Sequence, residues 1–305
     1  MKRLGIVGGA GLLGSTTAFC VAQTGVFDEI ILLDIKENMV MSHVMDMGQA
    51  MCPISKTKLL KGDYEDLAEC DVVLVTASLP ERKVANRNEF LQDNLGIVTP
   101  ICEKLKTFCK KDCVLINATN PVDVFTYVYW KLLGWDRHRV LGFCANDTLR
   151  LKWATAQVLD VDYKDLEGIA VGEHGDGQVR LYDQMKYRGE SLKLTETQRA
   201  EIEKITADWF TNYQNLESKR TSGWTSGVML ARMITAIATD SGEVFPVSVS
   251  MDGEFGYSHV SFGMPCILGK DGVRSITDPG FTKEQKDALD KVAEKISGLI
   301  DGIHF

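Results

Sequence analysis

The chain has 305 residues, 45% hydrophobic and 25% charged, which is enough for two globular domains of ordinary composition. A formal net charge of -8 argues against nucleic acid or an anionic membrane as partner, since phosphates and acidic lipids repel an acidic surface. No apolar run reaches the roughly 20 residues that a membrane-spanning helix needs.

Residues 3–8 (RLGIVG) form an Ile/Val-rich run that predicts a strand. The basic tip Met1-Lys2-Arg3 gives it the outline of a signal peptide. Glycines break the run, however, and a strongly patterned domain follows, so that reading is set aside. Next comes Gly8-Gly9-Ala10-Gly11-Leu12-Leu13-Gly14, with G-x-G-x-x-G at Gly9, Gly11 and Gly14 and G-x-x-G-x-x-G at Gly8, Gly11 and Gly14. A helix is predicted from about Ser15 to Gln23, and a second strand, EIILL, ends at Asp34. Glycines let the backbone approach a pyrophosphate, and a helix N-terminus offers free N–H groups to it. A carboxylate about 20 residues on accepts bonds from ribose hydroxyls and repels a 2′-phosphate, so this spacing selects NAD over NADP.

Further strand-like runs at Val72–Thr76 and Val114–Asn117, with helical stretches between, predict βαβ units and a parallel sheet. After about Gly142 the pattern changes. Thr195 to about Asn215 predicts one long helix capped by Thr195, and residues 225–240 predict another. Pro246–Leu268 has hairpin character, and the tail from Thr282 to about Ile300 is again amphipathic helix. The predicted class is α/β: a Rossmann-type doubly wound parallel sheet over 1–142, then an α+β domain over 143–305. There is no internal repeat or Pro/Ser-rich linker, so the two domains are expected to share a broad interface with a ligand cleft. The eight cysteines form no C-x-x-C pair and lie mostly in apolar runs, which fits a reduced, cytoplasmic protein without a metal site.

Three motifs carry a resemblance: Gly172-Glu173-His174-Gly175-Asp176, Asn120-Pro121-Val122-Asp123 and Asn146-Asp147-Thr148-Leu149-Arg150. In this order, and over essentially the whole chain, they resemble the signatures of the L-lactate/malate dehydrogenase family. The second domain is then the catalytic one, and the expected reaction moves hydride between NAD and a small L-2-hydroxy acid or its 2-oxo acid. The resemblance makes His174 the proton carrier, a role that suits a side chain titrating near neutrality. Asp147 is its orienting partner, and Arg150 is the bidentate anchor of the substrate carboxylate. Arg87 matches an arginine on a mobile loop that polarises the substrate carbonyl. Asn120 bonds the reacting oxygen and seats the nicotinamide. Leu13, Thr76, Ala77, Asn94 and Thr119 are expected around the dinucleotide, with Gly8, Gly11, Gly14 and Asp34. Family members assemble into homodimers or homotetramers.

Within such a family, an arginine six positions before Arg87 marks malate, and glutamine or an apolar residue there marks lactate or longer acids. The ungapped position holds Glu81, which repels a second carboxylate; a one-residue deletion in the loop brings Arg82 there instead. Leu79-Pro80 is malate-like. On the opposite wall Ser222, small and polar, does not decide. Malate/oxaloacetate leads, with lactate/pyruvate or another monocarboxylic acid as the alternative. A non-catalytic NAD-binding protein is the reading from another class, and it predicts loss of His174, Asp147 or Arg150, all of which are present. An NAD-dependent glycosidase calls for a metal site that no Cys/His spacing here supplies. His43, His138, His259 and His304 are scattered and read as structural or surface groups.

Overall fold

The computed structural model describes residues 1–79, 87–218 and 222–303, without the side chains of residues 87–90, 210 and 214. Glu81 and Arg82 therefore lie outside the described residues, as do His304 and the side chain of Arg87.

Six strands, β1 (Arg3–Val7), β2 (Glu29–Leu33), β3 (Lys58–Lys61), β4 (Val72–Val75), β5 (Val114–Asn117) and β6 (Val140–Phe143), pair in parallel in the order β3-β2-β1-β4-β5-β6. The order reverses between β1 and β4, which opens a crevice at their carboxyl ends. Strands such as VVLV and VLIN are buried throughout because helices cover both faces of the sheet. These helices are α1 (Leu12–Thr24), α2 (Glu37–Met51), α3 (Arg87–Phe108) and α4 (Val122–Leu133). α1 starts at Leu12, ahead of the expected Ser15, because extended Gly11 itself ends the loop and its carbonyl takes the first helical bond, from the amide of Ser15.

The second half opens with α5 (Ala145–Leu159). It continues through β7 (Leu166–Glu167), β8 (Ala170–Gly172), β9 (Gln178–Arg180), β10 (Lys186–Tyr187) and β11 (Glu190–Ser191). Then follow α6 (Glu196–Asn215), α7 (Gly223–Ala238), β12 (Val244–Asp252), β13 (Ser258–Gly269), β14 (Gly272–Ile276) and α8 (Lys283–Asp301). The predicted cap at Thr195 is present, and Thr282 caps α8 in the same way. Gln198 N–H donates to Thr195 Oγ1 at 3.2 Å and Gln285 N–H to Thr282 Oγ1 at 3.2 Å, each answered by the glutamine side chain.

β12 joins the first sheet directly by pairing antiparallel with β6, Val247 opposite Phe143 and Ser248 opposite Gly142. Among the described residues, one sheet of eleven strands thus runs through both halves, with β13, β8, β9 and β14 beyond β12. The principal core follows it from Leu4 and Ile6 to Phe262 and Ile300, and a smaller cluster of Leu151, Ala154, Tyr182, Met185 and Ile202 lies under α5 and α6. This shared sheet fixes the starts of α4 and α5, at the ends of β5 and β6, relative to the β8–β9 turn. Among the described residues, no helix is long and apolar enough to cross a membrane.

Candidate active site

The dinucleotide half sits at the β1–β4 crevice. Gly8 has φ 94, and a Cβ there would meet Ala77 N at 2.6 Å; a Cβ on Gly14 would meet the Gly8 carbonyl oxygen at 2.5 Å. Side chains at these positions would fill the turn, so glycine keeps an open backbone cradle where α1 begins. Thr76 Oγ1 donates to the Gly8 carbonyl at 3.1 Å, closing the loop against the end of β4. Asp34 stands just past β2: Oδ2 accepts the Ala10 N–H at 3.1 Å and Oδ1 the Lys36 N–H at 3.0 Å. The carboxylate is thereby held at the rim of the cradle, where a ribose would lie and a 2′-phosphate would be repelled. Leu13 packs on the core from the first turn of α1. Across the crevice, Thr119 Oγ1 donates to Ala77 O at 2.8 Å. Buried Asn94 accepts the Leu79 N–H at 2.9 Å and donates to Asn120 O at 2.9 Å. Gly8, Gly14, Thr76, Ala77 and Thr119 thus meet at the switch point, with Asn94 and Asn120 joined beside Leu79, and the open turn leaves room for a dinucleotide backbone.

The second half of the site centres on the turn between β8 and β9. His174 N–H donates to Asp123 Oδ2 at 2.7 Å, and its ring Nδ1 lies 2.7 Å from Asp147 Oδ2. A carboxylate at Nδ1 keeps a proton there and leaves Nε2 as the exchangeable position. The His174 side chain retains 16% exposure and that of Asp147 only 5%, so the pair is sheltered but the ring is reachable. Burial works against a charged ring; attraction and hydrogen bonding from Asp147, with help from Asp123, outweigh it and raise the pKa of His174. Arg150, one turn along α5, brings Nη1 to 3.5 Å from Asp147 Oδ1. Its guanidinium lies 4.2 Å from the centroid of the Trp209 ring. Ser222 caps α7. Its carbonyl accepts from Ser226 Oγ at 3.0 Å, and Ser226 Oγ accepts from Asn146 Nδ2 at 2.6 Å, which ties this wall to the residue before Asp147.

Some of the groups holding this arrangement carried no expected role. Asp123 is 2% exposed, accepts from Ser248 Oγ at 2.6 Å as well as from His174, and is pushed up to about 7 by burial against the pull of those bonds. Its place in the Asn-Pro-Val-Asp motif was the available signal. Trp209, Ser226 and Ser248 gave none, because each reaches the site only through tertiary contact. Glu173, flanking His174, is engaged by Lys295 of α8 at 2.6 Å. Together, the sheltered histidine–aspartate pair, the adjacent arginine and the glycine cradle are chemically able to bind a carboxylate and move a proton to or from an oxygen beside it.

The chain matches known proteins over nearly its whole length. Residues 2–142 match the family model described as lactate/malate dehydrogenase, NAD binding domain, and residues 146–303 match the lactate/malate dehydrogenase, alpha/beta C-terminal domain. The chain is 33% identical to a malate dehydrogenase of Halobacterium salinarum, over 99% of this chain and 100% of that one. It is 29% identical to an L-lactate dehydrogenase of Clostridium perfringens, over 98% and 96%. The crystal structure of Cryptosporidium parvum malate dehydrogenase superposes with a TM-score of 0.93 at 27% identity, covering 98% of each chain.

Proposed function

Because this chain belongs to the lactate/malate dehydrogenase family, and so is an NAD-dependent 2-hydroxy acid dehydrogenase, we propose that His174 carries its proton and that L-malate/oxaloacetate is its substrate pair. The observation that carries the catalytic part is the His174–Asp147 contact at 2.7 Å with Arg150 one helical turn away. When bound, NAD accepts the hydride in oxidation and NADH supplies it in reduction. In oxidation, His174 Nε2 takes the hydroxyl proton and Asp147 stabilises the resulting imidazolium; in reduction, Nε2 returns that proton to the carbonyl oxygen. Arg150 clamps the C1 carboxylate, Arg87 polarises the carbonyl, and Asn120, held through its backbone by Asn94, bonds the reacting oxygen. Residues 1–142 thereby carry the dinucleotide and reach the substrate through Arg87 and Asn120, while 143–305 supply Asp147, Arg150 and His174.

Malate is favoured by Leu79-Pro80 and by Arg82 as the cation for a second carboxylate. The lactate reading is supported by Glu81 in the ungapped position. NADH oxidation measured with oxaloacetate, pyruvate, 2-oxoisocaproate and 2-oxoglutarate separates them, with Glu81→Gln and Arg82→Gln alongside. Oxaloacetate is expected to be reduced fastest, and Arg82→Gln to lower that activity roughly tenfold or more while sparing pyruvate. An Arg82→Gln enzyme with unchanged oxaloacetate turnover would remove Arg82 from the site.

The same reading brings a homodimer or homotetramer. Met41 and Met45, one turn apart on α2, leave an exposed apolar strip suited to burial against a second copy. Sedimentation equilibrium should then return two or four times the chain mass of 33.8 kDa, and a monomer at assay concentration would contradict it.

A further inference from the structure

Arg150 poses a physical problem that its ion pair does not solve. The guanidinium is largely buried, and burial lowers its pKa. The Asp147 oxygen it faces is 3.5 Å away and belongs to a carboxylate already engaged by His174 at 2.7 Å. Its Nε–H is buried and has no hydrogen-bond partner among the described residues. A buried cation held so loosely by hydrogen bonds needs another source of orientation. The Trp209 ring supplies one, 4.2 Å from the guanidinium carbon. Trp209 is itself stacked on Tyr213, at a centroid separation of 5.1 Å and an interplanar angle of 12°. The cation thus touches one member of a stacked pair of rings, and both rings belong to α6.

We propose that Trp209 is a positioning residue for substrate recognition: its ring, backed by Tyr213, holds the Arg150 guanidinium aligned for the substrate carboxylate. The proposal rests on the assignment of Arg150 as the carboxylate anchor. An aromatic face attracts a guanidinium without using any of its N–H groups, so the fork stays free for a bidentate ligand. A carboxylate in Trp209's place would occupy the same N–H groups that the substrate needs. The stack also makes α6 part of the substrate site, although its first turn lies on the surface.

The test compares Trp209→Leu, Trp209→Phe and Arg150→Leu in NADH-dependent reduction of oxaloacetate and of pyruvate, with NADH affinity measured by fluorescence titration. Trp209→Leu is expected to raise KM for the 2-oxo acid about tenfold, the size of a desolvated cation–π contact, while kcat and NADH affinity stay near wild type. Trp209→Phe, which keeps a ring, should recover most of that loss. A role in packing alone would instead lower kcat, NADH affinity and thermal stability together, and phenylalanine would give no selective rescue of KM. Unchanged KM in Trp209→Leu, or a Phe variant as poor as Leu, would overturn the proposal. Arg150→Leu separates the two layers: if it leaves KM unchanged, the anchor assignment fails. If it raises KM and Trp209→Leu does not, only the positioning role fails.

Discussion

His174→Asn is expected to lower turnover of 2-oxo acid reduction and of 2-hydroxy acid oxidation by roughly 10²–10⁴-fold, the range that a positioned acid–base group supplies. Asparagine keeps the main-chain N–H that donates to Asp123, so the β8–β9 turn retains its tether and the loss is confined to the ring. The neighbouring acids cannot take over. Asp147 is 5% exposed behind the ring, and both Asp123 oxygens are engaged by Ser248 and the His174 amide. NADH affinity should be unaffected, because the Gly8–Gly14 cradle and Asp34 lie at the other end of the crevice. Steady-state rates in both directions, with NADH titration, check this; near-normal turnover in either direction would show that the proton travels by another route.

Asp147→Asn should be of similar size, with a signature of its own in pH. The variant loses the acceptor that keeps the proton on Nδ1, so neutral rings with the wrong tautomer accumulate and kcat falls by roughly 10²–10⁴-fold. Reduction requires the protonated ring and is active below the raised pKa of His174. Removing Asp147 leaves burial, which opposes the charge, without its main compensation. The alkaline limb of the reduction profile therefore moves to lower pH, and the acid limb of oxidation moves with it. Stability follows the same sign. A ring whose folded pKa is raised stabilises the fold fully below the ordinary histidine value of about 6.5, and that contribution disappears as pH rises through the raised value. Asp147→Asn should thus lower Tm more at mildly acidic than at alkaline pH. An alkaline limb that stays in place would mean that another group sets it.

The parts of this protein that were legible in the sequence are those whose chemistry is local. The glycine loop, the strand before it and Asp34 keep fixed spacings because one βαβ unit builds the whole cradle. Long helices announced themselves through the Thr195 cap and the amphipathic pattern from Thr282, where the structure places the start of α8. β3 and β6 were missed. KLLK is largely accessible and partly charged, and VLGF is short and carries a glycine, so neither forms an apolar run long enough to stand out. The single sheet through both halves was also hidden, since it depends on β12 meeting β6 far along the chain. The same limit applies to the site. Asp123 lay inside a recognised motif, but its role depends on His174, 51 positions later, and Ser248, 125 positions later. Trp209 reads on a helical wheel as one more aromatic residue of α6, and only packing of α6 against α5 brings it to Arg150.

The proposed reaction is hydride exchange between NADH and C2 of a 2-oxo acid, with the substrate oriented by Arg150 and protonated by His174. Its most direct test is to run the wild-type enzyme with NADH deuterated at the transferable C4 position and oxaloacetate or pyruvate, then analyse the hydroxy acid formed. The expected product is the L-2-hydroxy acid with the deuterium on C2. Product without deuterium at C2, or of D configuration, would contradict it.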